Sequence, residues 1–230
     1  MKKILFIILS LSFLLSLDYS LEDVNETSET FGDFIGPSYF LDQDKLTITF
    51  FAWETWGGWR TVFTQLCELS NNNAWDTEKA VLVGFGNGSG GSGGLNGMVG
   101  IQGNNSAWVQ DPSPSEIWEE FLGSTSSPRR QVVLLDKDLN KRYQFQYASS
   151  GITSAQEVEL LNAIDELINE LSQLQGDMNQ DNILNVLDVI IIVNMAIGNV
   201  EIDLTGDMNN DGGINILDVV ILANIILTDE

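Results

Sequence analysis

Two twelve-residue segments of this chain can be laid over one another without a gap. They are Asp177-Met-Asn-Gln-Asp-Asn-Ile-Leu-Asn-Val-Leu-Asp188 and Asp207-Met-Asn-Asn-Asp-Gly-Gly-Ile-Asn-Ile-Leu-Asp218. Oxygen-bearing side chains recur at positions 1, 3, 5, 9 and 12: Asp177, Asn179, Asp181, Asn185 and Asp188, then Asp207, Asn209, Asp211, Asn215 and Asp218. A hard cation of calcium size takes about six to eight oxygens, and this spacing brings them together as the chain curls. Position 7 offers a main-chain carbonyl (Ile183, Gly213), position 9 commonly acts through water, and position 12 closes the shell. Position 6 needs a left-handed backbone, which Gly212 adopts freely and Asn182 tolerates. One Asp/Asn/Gly cluster would ordinarily be a turn. Two in one register, each opening an apolar helix, point to two calcium ions.

The charge distribution agrees. The chain holds 33 acidic and 10 basic residues, a formal charge of −23, and no Lys or Arg follows Arg142. Phosphate binding needs clustered cations, so nucleic acid is excluded as a partner. The absence of histidine rules out Ser-His-Asp and Cys-His catalysis. With an apolar fraction of 43%, the chain is expected to fold.

The motif Gly-Asp-Met-Asn-x-Asp, then Leu/Ile-Asn and Asp, then an apolar helix, repeated once from Gly176 to about Leu227, closely resembles the dockerin family. The Asp at position 12 departs from the Glu of ordinary EF-hands. The resemblance implies a cohesin-bearing partner, in many such systems within a polysaccharide-degrading assembly. It also implies partner selection by loop positions 10 and 11, here Val186, Leu187, Ile216 and Leu217. The helices Val186–Ile197 and Ile216–Leu227 are apolar nearly all round, so packing one on the other leaves apolar surface over. Periodicity alone equally allows those four residues to be ordinary core.

Upstream, Lys2 and Lys3 precede an apolar run to Leu17, the pattern of a signal peptide over 1–17, with Ser16 and Ser20 as small residues for cleavage. The run is short for a bilayer span. Export is expected, to the extracellular space or to a cell surface through the partner. Asp18–Glu29 reads as a loose acidic lead-in. Strands are expected at Lys45–Phe51, Ala80–Phe85, Gln131–Asp136 and Arg142–Tyr147. Helices are expected at Thr61–Ser70, Ser115–Leu122 and Ser154–Leu174. The last carries a capping box, Ser154 with Glu157, and a stripe of Val158, Leu161, Ile164, Ile168 and Leu171. Gly84 to Asn105 reads as a flexible loop, and its Gly-Phe-Gly-Asn-Gly start breaks the dinucleotide fingerprint.

This order of elements, with KLTITFFAW and a turn before a helix opened by Arg60, is similar to the thioredoxin-like, redoxin-type family. QVVLLDKDLNKRYQF resembles that family's later hairpin, and Pro128 stands near the place of its cis-proline. The expected architecture is therefore an α/β thioredoxin-like sandwich over 18–174, followed by a small all-α dockerin domain over 175–230. Trp56-Gly57-Gly58-Trp59 occupies the place of the family's Cys-x-x-Cys, so the resemblance carries no catalytic residue across. The single Cys67 is expected to be a buried core thiol. Trp53, Trp56 and Trp59 could instead form a sugar-stacking platform, and Glu54, Asp76, Asp111, Glu119 and Glu120 leave glycoside hydrolysis open. A non-catalytic docked protein is the reading preferred. A dockerin-borne enzyme or a glycan-binding module acting on polysaccharides is the alternative.

Overall fold

The computed structural model describes residues 16–52, 58–87, 105–112, 114–126 and 129–228, with only the backbone of Gly58 and Trp59. The chain divides into two compact units that meet between Leu171 and Ser172.

In the first unit, β3 (Leu46–Ala52) is buried at every residue. Continuous β-branched and aromatic content is what a central strand covered on both faces demands. It pairs in parallel with β4 (Ala80–Gly86) and antiparallel with β6 (Gln131–Leu135). Outside these lie β5 (Ala107–Gln110), parallel to β4, and β7 (Lys141–Gln146), antiparallel to β6. The mixed sheet therefore runs β5-β4-β3-β6-β7. Two layers cover it. Leu46, Ile48, Phe50 and Ala52 meet α2 (Gly58–Asn71) through Val62, Phe63 and Leu66, and α4 (Ser154–Ser172) through Leu160, Ile164 and Leu167. Phe51, Val83, Phe85 and Val109 meet Ile35, Phe40 and the short α3 (Glu116–Leu122), whose Trp118 and Phe121 are buried. Phe40 belongs to α1 (Pro37–Leu41).

Three sequence expectations are corrected here. The lead-in Asp18–Glu29 is ordered: β1 (Leu21–Glu22) pairs with β2 (Phe34–Ile35). Buried Asp23 pins this ribbon to the sheet edge, accepting from Trp108 N at 2.9 Å and Thr30 Oγ1 at 2.7 Å. Acidity misled because this carboxylate is spent on internal donors. The cap of α4 stands one residue earlier than expected, with Gln156 Oε1 accepting from Thr153 N at 3.1 Å and Thr153 Oγ1 accepting from Gln156 N at 3.4 Å. The buried stripe is Leu160, Ala163, Ile164, Leu167 and Ile168, while Val158 is exposed. Both stripes share Ile164 and Ile168, and the i, i+3, i+4 set selects the true one. The residues of the expected Gly84–Asn105 loop beyond Asn87 lie outside the described set, apart from Asn105, and so does Pro128.

The second unit has two helices, α5 (Val186–Ala196) and α6 (Ile216–Thr228), joined through a 3-10 turn at Leu204–Gly206. They pack around Ile192, Met195, Ile214, Val219 and Leu222. Among the described residues no helix is long and apolar enough to cross a membrane.

Candidate cation-binding loops

Each loop is wound around its own carboxylates, and the two windings share most of their bonds, the first loop adding Asn179 N to Asp188 and Asn185 Nδ2 to Ile183 O. Asp177 accepts from Asp181 N at 3.1 Å and Asn182 N at 2.7 Å; Asp207 accepts from Asp211 N at 3.2 Å and Gly212 N at 2.7 Å. Asn179 and Asn209 each accept from the position-5 amide, at 3.1 and 2.9 Å. Asp181 and Asp211 accept from the position-7 amides of Ile183 and Gly213. Asp188 accepts from Met178 N at 2.8 Å, Asn179 N at 3.2 Å and Asn185 N at 2.9 Å. Asp218 does the same with Met208 N at 3.0 Å and Asn215 N at 2.8 Å. Position 6 is left-handed in both loops, φ 61° at Asn182 and 87° at Gly212, as its residue types require. Position 4 is left-handed too, φ 58° at Gln180 and 55° at Asn210, a feature the spacing did not disclose.

Position 9 does more than was read from sequence. Asn185 caps α5, its Oδ1 accepting from Leu187 N at 2.8 Å, while Asp188 reaches back to the cap amide. Asn215 accepts from Leu217 N at 2.9 Å. The Asn-x-x-Asp spacing is a capping box and was legible as such.

Asp177, Asp188, Asp207 and Asp218 are only 2%, 0%, 5% and 0% exposed, in a unit without a single Lys or Arg. Burying a carboxylate costs several kcal/mol unless something compensates it. Amide hydrogen bonds compensate in part; Asp188 Oδ1 accepts two of them, and the other oxygens of these four carboxylates accept one each and keep a further lone pair. Among the described residues no group of three or more acidic, histidine or cysteine side chains makes a metal site by itself. The donors that could hold an ion are accordingly a mixed set of carboxylates, asparagine amides and main-chain carbonyls, a set suited to a hard cation.

Val186, Leu187, Ile216 and Leu217 are between 53% and 66% exposed, so they are not core. Ile190 and Val220, one helical turn beyond, extend the apolar surface on each helix.

In the first unit Trp53, Trp56 and Glu54 lie outside the described residues, as does the side chain of Trp59. Asp76, Glu119 and Glu120 are exposed. Asp111 is buried and accepts from Trp118 N at 2.7 Å, satisfying an orphan amide in the first turn of α3. Burial raises its pKa.

Cys67 is 4% exposed within the core, and burial pushes its thiol up to about 12. The thiol should therefore resist iodoacetamide at pH 8 in the native chain and react within minutes in denaturant; native labelling at the denatured rate would contradict the burial. The folded state holds this proton more tightly than the unfolded one, so the contribution to stability is complete below pH 9.0 and falls as pH rises from there toward 12.

No family model matches the sequence, and no curated protein matches it. Solved structures do match in shape. A candidate protein disulfide isomerase from Bacteroides thetaiotaomicron superposes with a TM-score of 0.50 at 14% identity, over 66% of this chain and 86% of that one. A candidate thiol:disulfide interchange protein from Chlorobium tepidum gives 0.50 at 12% identity, over 66% and 94%. The fold of the first unit is thioredoxin-like. A hypothetical protein from Sinorhizobium meliloti gives 0.52 at 12% identity, over 67% and 82%. At such identities the likeness concerns the fold alone.

Proposed function

We propose that the chain is an exported docking protein. Its second unit, of dockerin type, binds two calcium ions and attaches the chain to a cohesin-bearing partner in an extracellular assembly, within a polysaccharide-degradation setting. Its thioredoxin-like unit is carried without dithiol chemistry. One observation carries the reading: two loops with the same oxygen spacing and closely similar hydrogen bonds surround four buried carboxylates that no side-chain cation neutralises. Asp177, Asn179, Asp181 and Asp188 would hold one ion, together with the Ile183 carbonyl and Asn185 through water. Asp207, Asn209, Asp211 and Asp218, with Gly213 and Asn215, would hold the other. Calcium there would supply positive charge that this unit's side chains lack and would tie each loop to its helix through the position-12 carboxylate.

The docking face is supported by the exposure of Val186, Leu187, Ile216 and Leu217 beside the loops. A redox-inactive first unit is supported by the one cysteine, which is buried. Export is supported by the charged and then apolar start. Cleavage after Ser16 suits the fold better than cleavage after Ser20. Leu17 N donates to Leu139 O at 2.9 Å, and the Tyr19 ring packs edge-on against Phe85.

Calorimetric titration of the full chain with calcium tests the central claim. Two ions should bind, with a gain of far-ultraviolet helix signal. At a hundredfold excess over its dissociation constant each ion stabilises the fold by about 2.7 kcal/mol. No heat and no helix gain at millimolar calcium would defeat the reading.

A further inference from the structure

The two loops are braced against each other through their position-2 methionines. Gly176, the residue before the first loop, has no room for a side chain: a β-carbon there would stand 2.9 Å from Met208 Sδ and 2.9 Å from Leu222 Cδ1. Gly206, the residue before the second loop, faces the mirror arrangement, with Met178 Sδ at 3.2 Å and Ile192 Cγ1 at 3.1 Å from the same notional atom. Each methionine thus lies against the backbone that launches the opposite loop. Its own amide is held by the position-12 carboxylate of its own loop, Met178 N by Asp188 and Met208 N by Asp218. Two further bonds cross between the halves, Gly176 N to Thr205 O at 2.9 Å and Gln175 Nε2 to Asp207 O at 2.6 Å. Leu222 and Ile192, which complete the two glycine contacts, are the fully buried residues of the shared core.

We propose that the two loops form one coupled switch, in which an ion in either loop raises the affinity of the other. The inference rests on the calcium reading above and adds its regulation. The route runs from Asp218 through Met208 to Gly176 and Asp177, and reciprocally from Asp188 through Met178 to Gly206 and Asp207. Closure of one loop fixes its methionine, the methionine fixes the glycine opposite, and the glycine sets the first ligand of the second loop. Ordering of that ligand is then already complete when the second ion arrives. The docking face, which takes Val186 and Leu187 from one half and Ile216 and Leu217 from the other, forms over a narrow calcium range.

The Asn182 and Gly212 amides report the loops separately, since each donates at 2.7 Å to the first carboxylate of its own loop. Their nuclear magnetic resonance signals are followed in the full chain as calcium is added. In Asp211→Ala, which damages only the second loop, the Asn182 midpoint should rise at least about fivefold. The coupling is reciprocal, so Asp181→Ala should raise the Gly212 midpoint too, by the same factor where the two loops have equal intrinsic affinity. Met208→Ala, which touches no ligand side chain, should raise the Asn182 midpoint, and Met208→Leu, which refills the volume, should return it toward wild type. An unchanged Asn182 midpoint in Asp211→Ala, while the wild-type chain fills both loops, would overturn the coupling alone. A shift in Asp211→Ala without one in Met208→Ala would overturn the methionine route. If neither amide moves in the wild-type chain at millimolar calcium, the calcium reading falls and takes the coupling with it. Should Asp211→Ala lose its helix signal, Asp211→Asn, which keeps the oxygen and removes the charge, is judged by the same criterion.

Discussion

The double variant Asp188→Ala, Asp218→Ala should lose the circular-dichroism signal of α5 and α6 even at millimolar calcium, while the sheet of the first unit stays folded. These two aspartates carry more than their share of the second unit. Each is fully buried, each closes its loop, and each holds an amide at the start of a helix. Removing Asp188 strands three amides at once, those of Met178, Asn179 and Asn185. Hydrogen bonds to a charged group are worth about 1.5–3 kcal/mol each, and stranded buried donors add to the loss. A unit of about 60 residues holds only about 3–9 kcal/mol in all. Its core is five buried apolar side chains, too few to absorb such a loss. Near-ultraviolet dichroism from buried Trp108 and Trp118 tests the other half of the statement, since both belong to the first unit. Retention of full helix signal by the double variant would show that the second unit stands on its apolar contacts alone.

The loops were the most legible part of this chain because their chemistry is periodic in sequence. Register and the left-handed Asn182 and Gly212 both follow from spacing and from what each residue's backbone permits. The helix-capping role of Asn185 also lay open, in its distance of three residues from Asp188. What spacing could not show is the crossing of Met178 and Met208 to the opposite half, because a contact between repeats leaves no mark within either one. In the first unit, β3, β4 and β6 announced themselves as buried runs, and α2 by its stripe through Val62, Phe63 and Leu66. The edge strand Ala107–Gln110 did not: four residues are too short for a period, and its burial comes from the ribbon tied down by Asp23. Burial of Asp23 and Asp111 was hidden for a related reason. Asp23 is held by an amide distant in sequence, Trp108 N, and Asp111 by Trp118 N seven residues on, and composition assigns such groups to the surface.

Gly84→Val should unfold the first unit or lower its stability by about 3 kcal/mol or more, without unfolding the second. The residue opens the glycine-rich stretch that, read in isolation, suggests a loop. In the structure it is instead an interior residue of β4, paired directly with Trp108 on β5. A β-carbon on Gly84 would stand 2.0 Å from Cε3 and 2.4 Å from Cζ3 of the Trp108 ring. The ring has nowhere to retreat: it is wholly buried, edge-on to Phe63 with centroids 5.1 Å apart, and its main chain is held by Asp23 and Val24. Inserting even a methyl must move β5 away from β4, which breaks the parallel ladder, or expel the indole from the core. Valine's good strand propensity is no defence, since propensity is worth less than about 1 kcal/mol and the clash is with packed side-chain carbon. The compensating pair Gly84→Val, Trp108→Ala tests the cause, because opening the slot should recover part of the loss. Thermal unfolding followed by near-ultraviolet dichroism reads both variants. A single variant as stable as wild type would mean that β5 can shift along the edge, and the Trp108 slot would then not be what fixes the glycine.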